Sequence, residues 1–262
     1  MRVAGTLYWD VLALYGGVLD GLRAAGREVG GPGRRRHRQL GGGRRAARRQ
    51  RRPARQPGAL PRRRHATAVP DVHAAVPTDE LYRVNGRQHL PFTTVFQLAA
   101  LRGTARLAAA RRALLVPDLL ACWLPRSEGA KVTNASTTGL LDATTGEWAW
   151  EVIDRLELPR GLFPSLTRPG DRLGHLTDDV LAESGLTGSV PVTAVGSHDT
   201  ASAVVGVPAA TERFAYVSCC TWSLVGLELP APVLSEASRR AGFTNELGVD
   251  GTVRYLRTVM EL

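Results

Sequence analysis

Ser197, His198, Asp199 and Thr200 form a short polar run between an apolar stretch ending at Gly196 and a run of small apolar residues, 201–207. A carboxylate flanked by an imidazole and two hydroxyls can orient a hydroxyl-bearing ligand and accept its proton, which is general-base chemistry. Twenty-two residues beyond Asp199, Thr221 closes a second polar turn, Cys219-Cys220-Thr221. A hydroxyl and free backbone N–H groups at such a turn make an anion site, suited to phosphate. An Asp ahead of a helix is also an ordinary N-cap, so the residues by themselves leave chemistry and capping both open.

The elements around these residues are legible from periodicity. Residues 190–195 predict a strand, 201–207 a helix packed closely on a sheet, and 215–218 a second strand. Residues 222–229 are apolar on both faces and predict a buried strand. Polar residues at the tips of buried strands are where α/β proteins hold ligands. Upstream, residues 6–25 predict a helix ending near Gly26, with Val11, Tyr15, Val18, Leu19 and Leu22 on one face. Residues 71–124 read as helical, with Pro91 and Pro117 at starts or breaks. Then come a loop with a short strand lining a cleft (133–141), a turn (142–146), a helix (148–156), a connecting loop (162–173) and a brief helix (181–185).

Five blocks, in order, resemble the FGGY family of carbohydrate kinases. They are LYRVNGRQHLPFTTVFQLAAL (81–101), LLVPDLLACWL (114–124), TNASTTGLLDATTGEWAWEVIDRLELPRGLFPSLTRPGDRLG (133–174), SHDTASAV with SCCTWSLVGLEL, and AGFTNELGVDGTVRYLRTVM (241–260). The resemblance is to the members that phosphorylate L-rhamnulose, and it implies an α/β fold of the actin-like ATPase (ribonuclease H-like) type, here incomplete. It also implies ATP and Mg2+ as cofactors and L-rhamnulose as the sugar. Asp199 is the implied proton acceptor, His198 and Thr200 the sugar contacts, and Thr221 the contact to ATP phosphate. The implied division is a sugar-binding domain over 1–207 and the opening of a nucleotide-binding domain over 208–262.

Several positions depart from the family pattern. Cys220 stands where the family has Gly, which adds roughly 1 kcal/mol of strain if the turn needs positive φ. Thr93 replaces the amide of an LPFNT pattern, Thr258 replaces a sugar-contacting Asn, and Glu261 replaces a Gly. The family's first strands with their Gly-rich phosphate loop, and most of its adenosine-binding domain, have no counterpart in the blocks. The expectation is that the 262 residues alone transfer no phosphoryl group.

The net charge of +10 is local in origin, since residues 34–64 carry fourteen Arg and no acid, and the remainder sums to −4. This block, within 30–70, has scarcely any large apolar side chains and predicts disorder. Back-translated with GC-rich codons and read one base later, residues 35–62 can encode VGIDSWAVDDAPLDANGDLLGNPVHYRD, a strand–hairpin–strand pattern. A frameshift is the reading taken; an RNA-binding arm is its alternative from another functional class. Cys122, Cys219 and Cys220 have neither metal-ligand nor disulfide spacing, and His89 and His198 lie far apart without carboxylate spacing, so no metal site is assigned. That cysteine usage fits a cytoplasmic enzyme. Residues 3–19 imitate a signal peptide, but Asp10 interrupts them. No membrane partner is expected.

Overall fold

A computed structural model describes residues 2–3, 6–7, 9–29, 67–211, 214–219 and 223–259. Contacts divide the chain into two compact units, 1–59 with 175–191, and 60–174 with 192–262.

In the first unit, strands β1 (Arg2–Val3) and β2 (Thr6–Leu7) pair antiparallel ahead of helix α1 (Val11–Val29). The expected start at residue 6 is corrected to Val11. Asp10 decides it: its Oδ1 accepts from the Ala13 N–H at 3.1 Å and its carbonyl from the Leu14 N–H at 3.0 Å, closing the first turn. Gly26 lies inside the helix rather than ending it. Val11 and Leu19 are buried and Tyr15, Val18 and Leu22 half-buried, while Leu12 and Leu14 face out. Arg23 ties α1 to a later helix (Asp178–Ser184) by donating to the Glu183 carbonyl at 2.7 Å. No helix among the described residues is long and apolar enough to cross a membrane.

The second unit begins with α2 (Val69–Ala75), α3 (Thr78–Asn85), α4 (Thr94–Ala99), α5 (Ala105–Ala108) and α6 (Val116–Trp123). Residues 30–66, including the whole Arg-rich block 34–64 and its frameshift reading, lie outside the described residues. The expectation of disorder through residue 70 is corrected at its end, where Ala68 is buried and Val69 and Pro70 open α2. Pro at a first helical turn is pre-set for it, and Ala68, Val72 and Val76 put an apolar residue inward each turn. They join Leu81, Val95, Phe96, Leu140, Leu141, Ile153, Leu156 and Leu162 in one core.

The loop and short strand expected over 133–141 are corrected at the start: strand β3 (Ala130–Lys131) precedes the stretch and runs into a one-turn helix, α7 (Val132–Ala135), with Thr133 and Asn134 buried, and a turn follows over 136–139. The turn at 142–146 is as expected: Asp142 Oδ1 accepts from the N–H groups of Thr144 and Thr145. Helix α8 spans Trp150–Arg155, while Trp148 bridges to Leu141. The connection expected over 162–173 carries β4 (Leu166–Thr167), parallel to β3, and the start of β5 (Arg172–His175). Strand β6 is Pro191–Thr193.

Helix α9 (Asp199–Val205) follows β6 and leads to an antiparallel sheet of β7 (Ala215–Cys219), β8 (Ser223–Leu229), β9 (Phe243–Leu247) and β10 (Val253–Thr258), in the order β7-β8-β10-β9. The expectation that β8 is buried on both faces is corrected. Val217, Val225 and Leu227 share one face, and they are 64%, 42% and 42% exposed. Alternation sends Gly226, Leu256 and Tyr216 to the opposite, buried face. Apolar residues on the first face have no covering element among the described residues, so composition alone overstates their burial.

Candidate active site

The predicted strand–turn–helix is present, and it sets the polar run at the start of α9. His198 occupies the N-cap position with φ −74° and ψ 121°, and its side chain makes no capping bond. Asp199 is the first helical residue, its side chain 90% exposed. Asp199 therefore does not take the N-cap position, although its carboxylate meets one N–H of the first turn. The Thr200 N–H donates to Asp199 Oδ1 at 2.7 Å and its hydroxyl to the same oxygen at 3.4 Å, while Thr200 itself is buried. One carboxylate oxygen is held by the helix start, and the group as a whole faces solvent.

Ser197 is fixed from a distant part of the chain. Asn134 on α7, nearly fully buried, donates from Nδ2 to Ser197 Oγ at 2.7 Å. Ser202 Oγ donates to the Gly196 carbonyl one helical turn on. The backbone entering His198 is thus pinned from both sides.

Beneath His198 lies a charged cluster that sequence reasoning did not assign. Glu246 on β9 accepts from Arg87 at Oε1 and from Arg254 Nη2 at Oε2, the latter at 3.0 Å. Arg254 on β10 is 0% exposed and Glu246 6%. Arg254 Nη1 lies 3.3 Å from His198 Nδ1, and Glu246 Oε2 lies 3.7 Å from the same nitrogen. Burial by itself pushes the Glu246 carboxyl up, but the Arg87 and Arg254 guanidiniums on either side overcome it and hold the group at about 2. Burial pushes the His198 imidazole down, with Arg254 acting in the same direction and Glu246 against it, so the ring is neutral near pH 7.

Arg87 reaches Glu246 because the Asn85-Gly86-Arg87 turn is locked. Gly86 ends α3 at φ 62°, a left-handed conformation, and a Cβ there would stand 2.7 Å from Asn245 Nδ2. Buried Asn245 donates from its backbone N–H and from Nδ2 to the Gly86 carbonyl, at 2.8 and 3.1 Å. Asn85 Oδ1 accepts from the Arg87 N–H at 2.8 Å. The sequence signal was weak: in FTNEL the apolar Phe243 and Leu247 lie on the face opposite Glu246, and only in VRYL does alternation put Arg254 on the face of an apolar residue, Leu256.

The other predicted positions are dispersed. Cys220, Thr221 and Glu261 lie outside the described residues. Thr258 ends β10, paired with Leu224. Thr93 is buried ahead of α4, its hydroxyl donating to the Leu90 carbonyl at 2.8 Å. His89 faces His73, with ring nitrogens 3.2 Å apart and Phe96 against both, and shares no partner with His198. Among the described residues no three His, Cys, Asp or Glu side chains gather as a metal set.

Comparison with known proteins identifies the family. Residues 61–206 match the FGGY family of carbohydrate kinases, N-terminal domain. The chain is 36% identical over 265 residues to rhamnulokinase of Bacteroides thetaiotaomicron, covering 99% of this chain and 54% of the relative. It is 38% identical over 197 residues to rhamnulokinase of Enterococcus faecalis, covering 75% of this chain and 40% of the relative. A carbohydrate kinase from Novosphingobium aromaticivorans shares the fold at TM-score 0.70 and 17% identity, over 98% of this chain and 56% of that structure. The chain thus spans about half the length of the curated relatives it matches. Its α/β fold is part of the actin-like sugar-kinase fold, and the chain belongs to the FGGY family of carbohydrate kinases.

Proposed function

We propose that this chain supplies the sugar-binding half of an ATP-dependent L-rhamnulose kinase, with Asp199 as the general base. The observation that carries this reading is the exposed Asp199 carboxylate, held at one oxygen by Thr200 and standing beside a neutral, half-buried His198. Identity of 36–38% to two rhamnulokinases supports L-rhamnulose as the sugar.

The sugar's primary hydroxyl lies against Asp199. The carboxylate takes the hydroxyl proton as the oxygen bonds to the terminal phosphorus and that phosphorus parts from the bridging oxygen of the nucleotide, giving L-rhamnulose 1-phosphate and ADP. ATP with Mg2+ supplies the phosphoryl group and neutralises its charge. His198 orients the sugar. Thr200, being buried, serves through its N–H and hydroxyl by fixing Asp199 Oδ1, which leaves Oδ2 to receive the proton. Thr221 is assigned to the phosphate end. Residues 1–207 form the sugar-binding domain and 208–262 open the nucleotide-binding domain, in keeping with a family match that ends at 206.

Because the chain spans about half of its relatives, the test places its residues 67–262 in the corresponding stretch of the Bacteroides thetaiotaomicron enzyme, which keeps its own sequence elsewhere, including opposite the Arg-rich block. The chimera is expected to phosphorylate L-rhamnulose in preference to L-xylulose and glycerol. A soluble, folded chimera that phosphorylates xylulose or glycerol in preference would overturn the choice of sugar, and one that phosphorylates none would overturn the kinase reading.

A further inference from the structure

We infer that Arg254 fixes the tautomer of His198, holding Nδ1 bare and placing the only ring proton on Nε2, where it is available as a donor to a ligand. The argument begins with what each group can do. A guanidinium has five N–H donors and no acceptor, and it stays protonated. At 3.3 Å from Arg254 Nη1, His198 Nδ1 has a role only as acceptor. The competing arrangement, with Nδ1–H donating to Glu246, requires a bond across 3.7 Å, beyond hydrogen-bond range. The ring is neutral near pH 7, so it carries one proton, and with Nδ1 accepting, that proton sits on Nε2.

The cluster is built to hold Arg254 in this role. Arg254 lies inside the sheet with no exposure, Glu246 Oε2 accepts from Nη2 at 3.0 Å, and the Leu247 carbonyl accepts from the same nitrogen at 3.4 Å. With Nη2 committed to β9, Nη1 is the nitrogen aimed at the imidazole. Arg87 occupies the other Glu246 oxygen and prevents that carboxylate from turning to take an Nδ1 proton. Arg254 is thus a positioning residue: it acts on a ligand only through the imidazole. That the ligand is a sugar hydroxyl accepting from Nε2–H rests on the functional reading above, whereas the tautomer does not.

The test is a long-range proton–nitrogen correlation spectrum of the full 262-residue chain labelled at histidine nitrogens, with His198 assigned by its absence in His198→Gln. The expected pattern is an unprotonated Nδ1 and a protonated Nε2 at pH 7. Arg254→Lys, which keeps a donor of the same charge, is expected to retain that pattern, and Arg254→Met to give a mixture of both tautomers. A wild-type spectrum showing Nδ1 protonated overturns the proposal by itself, even if the Met variant does not fold. A folded Met variant with an unchanged tautomer overturns the role of Arg254. Adding L-rhamnulose then separates the two claims. A shift at Nε2 supports both; the expected tautomer with no response to the sugar leaves the inference standing and removes the sugar reading.

Discussion

Asp199→Asn in the full-length chimera is expected to lower kcat by about 10²–10⁴-fold while leaving the KM for L-rhamnulose within a few-fold. The carboxamide keeps the shape of the side chain, and its oxygen can still accept from the Thr200 N–H that now bonds Oδ1 at 2.7 Å. What it loses is the capacity to take a proton from the attacking hydroxyl. The side chain is 90% exposed and makes no core contact, so stability is expected to move by no more than about 0.5 kcal/mol. Steady-state kinetics with a coupled ADP assay reads the rate, and urea unfolding reads the stability. A variant that retains its turnover removes Asp199 from the mechanism.

Glu246→Leu is expected to cost about 3–5 kcal/mol of stability, because it strands two guanidiniums that share one buried carboxylate. The effect has a definite pH dependence. The folded carboxyl sits at about 2, below its ordinary 4.5, so the folded state binds its proton less readily than the unfolded chain. Its contribution, about 3 kcal/mol from a shift of that size, is fully present above pH 4.5 and is lost as pH falls toward 2. Urea midpoints of wild type and Glu246→Gln, taken between pH 7 and 3, are expected to converge on acidification. Parallel curves would show that the cluster does not hold this carboxyl down.

The two halves of the site differ in how legible they are. His198, Asp199 and Thr200 lie side by side at a strand–turn–helix, so local pattern and spacing reveal them together. Arg87, Glu246 and Arg254 come from a turn and two strands and meet only through the sheet register, in which Arg254 lies opposite Glu246. Strand alternation pairs Arg254 with the apolar Leu256 in VRYL but sets Glu246 opposite Phe243 and Leu247 in FTNEL, so the burial of Glu246 and the partners it shares are tertiary facts. The face of α1 was readable because Val11, Tyr15, Val18, Leu19 and Leu22 recur at helical spacing. Its start was misread because Asp10, which interrupts the apolar run, is the residue that caps it. Residues 222–229 misled in the opposite direction: Val225 and Leu227 look like core in sequence, yet one face of their strand is open.

The most direct measurement of the central claim is calorimetric titration of L-rhamnulose into the 262-residue chain, alongside its Asp199→Asn and His198→Ala variants. Saturable binding is predicted for the chain and for Asp199→Asn, with at least a ten-fold weaker Kd for His198→Ala. Absence of binding by the folded chain, or binding indifferent to His198, would contradict a sugar site built on this turn.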